Sequence, residues 1–109
     1  MTKSPTIAPK SKKWSPSSVD RVTIAFAKIA WIATAPDSEV RPGKRKRLLE
    51  RQLFKGSKTL KAAYRERFYL ASKKALDAAK AKDTVAFAVA RQGIAELWEE
   101  YSAAKSTLL

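Results

Sequence analysis

The chain has 109 residues, 45% of them hydrophobic, and carries 23 Lys and Arg against 10 Asp and Glu, a net charge of +13. This length suits one domain with a modest core, and the hydrophobic share excludes a chain disordered throughout. Cysteine and histidine are both absent, which excludes disulfides, thiol nucleophiles, histidine bases and the usual zinc sites, so neither a cofactor nor a metal is expected.

Residues 1–16 read as a basic tail. Lys3, Lys10, Lys12 and Lys13 alternate with Ser, Thr and the prolines Pro5, Pro9 and Pro16, and there is no acid. Prolines at this spacing oppose a helix and favour an extended or disordered chain. The apolar run of a secretory signal is missing, and so is the arginine of a mitochondrial presequence. Trp14 is the odd residue, and two roles are open to it: an apolar anchor folding back on the domain, or a ring that stacks on a base or enters a partner's pocket.

A first helix is expected from Ser17 or Ser18 as cap to about Ala35, with Asp20 in the first turn where the helix dipole favours an acid. Val22, Ile24, Phe26, Ile29, Trp31 and Ile32, with several alanines, cover most of its circumference. It is too short to span a bilayer, and the pattern predicts the central buried helix of a bundle. Pro36, Pro42 and Gly43 punctuate the following loop, and Pro42-Gly43 suits a type II turn. A second helix is expected over 44–54, with Leu48, Leu49, Leu53 and Phe54 on one side and a stripe of cations on the other. Gly56 and Ser57 break it. A third helix over 58–81 has Leu60, Ala63, Tyr64, Phe68, Ala71 and Ala75 at helical period, with Lys61, Arg65, Ser72, Lys73 and Lys80 outward. Asp83 caps a fourth helix over 83–104, whose seam is Phe87, Ala90, Ile94, Leu97, Trp98 and Tyr101. The expected architecture is all-α, a small four-helix bundle occupying residues 17–109.

Charge supplies the functional signal. Residues 1–61 hold 15 basic and 4 acidic residues, whereas residues 62–109 hold 8 and 6. Within 41–61 nine cations face one acid, Glu50. Such a concentration repels itself unless a polyanion or an acidic partner neutralises it. Arg41, Lys44, Arg45, Lys46, Arg47, Arg51, Lys55, Lys58, Lys61 and Arg65 are therefore the candidate nucleic-acid contacts, with Lys10, Lys12, Lys13 and Trp14 from the tail. Asparagine is absent and only Gln52 and Gln92 are available, so base readout is poorly equipped and phosphate contact with little sequence preference is expected.

Competing patterns are weaker. Aligning Gly56 with the turn glycine of a helix-turn-helix leaves Gln52 where a small residue belongs and Ser57 where an apolar one does. Lys44 to Arg47 also suits a nuclear localisation signal. Asp37 with Glu39, and Glu96, Glu99 and Glu100, are the acids from which a site could be built, but no phosphate-cradling glycine loop or nucleophile elbow accompanies them, so an enzyme is not expected. The sequence reading is thus an intracellular, non-enzymatic protein of the cytoplasm, nucleoid or nucleus that binds DNA or RNA. The alternative is an accessory or inhibitory helical protein docking its basic face on an acidic protein partner in a larger assembly. No transmembrane segment is expected, and the oligomeric state is open.

Overall fold

The computed structural model describes residues 15–41 and 43–108. They form four helices and, among the described residues, no strand: α1 (Ser18–Thr34), α2 (Lys44–Phe54), α3 (Lys58–Ala81) and α4 (Thr84–Leu108). The all-α, four-helix expectation holds, with boundaries close to those read from the sequence. The caps explain why. Ser17 accepts from the Asp20 amide at 3.1 Å while Asp20 accepts from the Ser17 amide at 3.2 Å, a reciprocal capping box. Ser57 caps α3 through the Leu60 amide at 3.2 Å, and Asp83 accepts from the Ala86 amide at 3.0 Å. Between α3 and α4, Lys82 takes a left-handed conformation and closes the end of α3. Pro42 lies outside the described residues, and with it the expected type II turn. None of the described helices is long and apolar enough to cross a membrane.

Helix α3 lies between α1 and α4, and α2 packs mainly on α1. Two clusters fill the interior. Phe54, Leu60, Tyr64, Phe68, Leu97 and Tyr101 form one, and Ala27, Ala75, Ala78, Phe87, Ala90 and Ile94 the other, with Phe26 and Ala71 against both. Phe68 is the hub of the first, with the rings of Phe26, Phe54, Tyr64, Trp98 and Tyr101 at centroid distances of 5.0–6.3 Å, mostly edge to face. The Tyr101 hydroxyl donates to the Leu53 carbonyl, which ties α4 to the end of α2.

Four expectations are corrected. Helix α1 is not buried all round: its inward face is Thr23, Ala27, Ala30, Ala33 and Thr34, whereas Val19, Val22 and Ile29 are exposed. Small residues let α1 approach its neighbours closely, and that close approach turns the larger side chains outward. On α2, Leu48 faces solvent at 53% exposure while Phe54, at 1%, is the residue that plugs the core. On α3, Ser72 is buried, because its hydroxyl donates to the Phe68 carbonyl at 2.7 Å and needs no water. Trp98, placed in the α4 seam, is half-exposed.

Phe54→Ala should therefore destabilise the protein by about 3–5 kcal/mol, and Leu48→Ala by no more than about 0.5 kcal/mol. Urea denaturation of the two variants measures both, and equal losses would contradict this burial pattern.

Candidate nucleic-acid interface

The loop that delivers α2 is held by its two acids. Ala35 ends α1, with its amide donating to the Trp31 carbonyl at 2.8 Å, and the chain turns over Pro36, whose carbonyl accepts from the Glu39 and Val40 amides at 2.9 and 3.1 Å. Asp37 takes the Lys46 ammonium at 2.9 Å. Glu39 accepts from the Trp31 indole at 3.3 Å and from the Tyr69 hydroxyl, and pairs with Lys73 at 3.5 Å. The Lys46 hydrogen bond and charge hold the Asp37 carboxyl below its ordinary range. The Tyr69 hydrogen bond does the same for Glu39, helped by Trp31 and Lys73 against partial desolvation.

Helix α2 then starts at Gly43 with no side-chain cap and no acid in its first turn. Four consecutive cations, Lys44 to Arg47, begin it. A helix start carries positive dipole charge, so cations there are repelled and an anion would be stabilised. Its far end is well finished: Lys55 and Gly56 both take positive φ, 52° and 73°, the Lys55 amide donates to the Arg51 carbonyl, and Ser57 caps α3 directly. Phe54 anchors this elbow in the aromatic cluster, 6.3 Å from both Phe68 and Tyr101.

Between α2 and the first turns of α3 lies a trough made of two adjoining clefts that share Arg47, Glu50 and Lys61. One cleft continues to Arg51, Gly56, Ser57 and Lys58, and the other to Gly43, Lys46 and Arg65. Glu50 sits between the two helices, with Arg65 at 3.2 Å and Lys61 at 3.6 Å. It draws two α3 cations toward α2 and concentrates positive charge along the trough. Arg47, Arg51 and Lys58 are exposed and form no ion pair among the described residues.

The sequence-derived candidates divide accordingly. Arg47, Arg51, Lys58, Lys61 and Arg65 come together on the trough. Lys46 also lines it, but is only 9% exposed and committed to Asp37, which takes it out of the solvent-facing stripe. Arg41 and Arg45 border a neighbouring hollow with Trp31 and Val40, Lys55 is exposed on the elbow, and Lys44 opens α2. Lys10, Lys12, Lys13 and Trp14 lie outside the described residues. Glu50 as the shared partner was missed by sequence reasoning, since its cations stand 11 and 15 residues further on; its isolation among nine cations was the available signal.

Glu100 takes Arg67 through both oxygens at 2.6 and 2.8 Å and also the Tyr64 hydroxyl at 3.2 Å, which holds its carboxyl below the usual range. Among the described residues no group of three acids could hold a metal ion. Neither a protein-family model, nor a curated protein, nor a solved structure matches the chain.

The carboxylates that clamp the loop set a pH dependence. Asp37, Glu39 and Glu100 have pKa values lowered on folding, so their stabilisation is fully present above the unfolded carboxylate range near 4 and is lost as pH falls through the lower folded values. Thermal stability should thus be level from pH 7 to about 5 and decline steeply below about 4, with Glu39→Gln losing part of that decline as well as some stability at pH 7. A Glu39→Gln protein with an unaltered profile would remove Glu39 from the clamp.

Proposed function

We propose that this chain is a binding protein, not an enzyme, and that it holds a nucleic-acid backbone along the α2–α3 trough with little sequence preference. The observation that carries the reading is the cluster Arg47, Arg51 and Lys58, exposed and unpaired beside Lys61 and Arg65, on a helix whose start is itself short of negative charge. A row of phosphates neutralises both at once, by direct contact and by relieving the uncapped amides of α2. Arginine suits bidentate phosphate contact, and Arg47 and Arg51, four residues apart, share one side of α2. Among the described residues the trough has no exposed ring on which a base could stack, because Phe54, the one aromatic among them that lines it, is 1% exposed. That favours contact with the backbone over contact with bases. Arg45, Arg41 and Lys55 extend the positive field beside the trough and add to steering of the polyanion.

Fluorescence anisotropy with labelled duplex DNA, single-stranded DNA and RNA of equal length, from 50 to 300 mM salt, tests this. Affinity should fall steeply and similarly for different sequences, with each phosphate contact contributing about 0.9 to the logarithmic salt slope on duplex DNA. Replacing Arg47, Arg51 and Lys58 together by Ala should weaken binding to all sequences and lower that slope by about 2 to 3. Lys80→Ala, which removes an exposed cation from the last turn of α3, away from the trough, should leave the slope unchanged. Binding no tighter than millimolar to all three ligands at 50 mM salt would overturn the reading and point to an acidic protein surface as the partner of the same trough.

A further inference from the structure

A second surface of the molecule is apolar. Helices α1 and α4 touch only lightly, and between them runs a groove of about 380 Å³ lined by Val19, Val22, Phe26, Ile94, Ala95 and Trp98. Val22 is 68% exposed and Trp98 38%. At the α1 start the groove is bordered by Arg91, whose charge is cancelled by Asp20. On the α4 side Gln92 lines it and donates to Glu96 at 2.9 Å, and Glu99 follows Trp98. Neither Glu96 nor Glu99 has a cationic partner among the described residues.

We infer that this groove is the docking site of the chain's own N-terminal segment, with Trp14 seated against Val19, Val22 and Trp98 and residues 10–13 running on along α4. Three observations select that occupant. Trp14 is joined to Ser15, two residues before the cap of the helix that carries Val19 and Val22, so the tether alone gives it an effective concentration at the groove in the millimolar range or above. Val19 and Phe26 are separated by about 10 Å along α1, a distance that three or four extended residues cover at about 3.3 Å each, which brings Lys12, Lys13 and then Lys10 beside Glu96 and Glu99. Glu96 and Glu99, which follow the lining residues Ala95 and Trp98 in sequence, are complementary in sign to the tail lysines. A second copy of the chain fits poorly, because it would bring one +13 molecule against another.

This inference is independent of the nucleic-acid reading, and it assigns Trp14 to the fold and not to a base or a partner's pocket. Methyl-detected nuclear Overhauser spectra of the full chain test it. The Trp14 ring should give cross-peaks to the Val19, Val22 and Ile94 methyls, and Trp14→Ala should abolish the upfield ring-current shifts of the valine methyls while the Phe87 and Tyr101 signals stay in place. Absence of those cross-peaks, or valine shifts identical in the Trp14→Ala protein, overturns the proposal. Cross-peaks seen between labelled and unlabelled molecules in a mixed sample overturn it too, since the groove would then be filled by a second copy. Deep-core signals unaffected by the substitution ensure that a loss reports the docking and not unfolding.

Discussion

One carboxylate, Glu50, ties α2 to α3. Helices α2 and α3 share few direct contacts, yet the Glu50 side chain reaches across to Arg65 and Lys61 and so fixes the separation of two cationic helices that would otherwise repel. Phe54 secures the elbow end of α2, and the Asp37–Lys46 pair secures its start. The same economy recurs throughout: Asp20 joins α1 to α4, Glu39 joins the loop to α1 and α3, and Glu100 joins α4 to α3. In a chain with 10 acids and 23 bases, these carboxylates are spent between elements. Exposed pairs of this kind, screened by water, contribute far less than the few kcal/mol of a buried aromatic ring. The aromatic cluster therefore supplies stability, and the carboxylates decide where α2 and its cations stand.

That division separates two surfaces. Around Phe68 the rings of five neighbours close the interior, and the alanine face of α1 lies close against it. Because the small side chains of α1 occupy the inside, Val19, Val22 and Ile29 are left outside, and the two valines together with Phe26, Trp98 and the α4 face make an apolar groove. The cations of α2 and early α3 gather on the trough instead. The basic trough and the apolar groove thus lie on different parts of the protein.

Much of the fold was legible because its punctuation is local. Ser17, Ser57 and Asp83 are caps, Pro36 and Gly56 are breaks, and each acts within three or four residues of its position. The facing of the helices was less legible. In α1 nearly every position is apolar, so periodicity could not tell that the alanines pack and the valines do not; packing distance decides that, and it is a property of the neighbouring α2 and α3. Leu48 was given to the core by hydrophobicity alone, and Ser72 to the surface by polarity alone, although a serine that bonds its own helix carbonyl loses nothing by burial. Of the candidate site, the basic stretch was visible as composition. Its division into trough cations, the buried Lys46 and the outlying Arg41 and Arg45 depends on Asp37 and Glu50 acting across 9 to 15 residues, which no local pattern reveals.

The proposed phosphate contact would run along α2 and the first turns of α3. The most direct measurement is the map of backbone amide shifts on adding a short duplex DNA to the isotope-labelled chain at low salt. The account predicts changes concentrated at Gly43 to Arg51 and at Ser57 to Arg65, including the uncapped amides at the α2 start, with Ile94 to Trp98 unmoved. Shifts centred on the α1–α4 groove, with residues 43–65 silent, would contradict it.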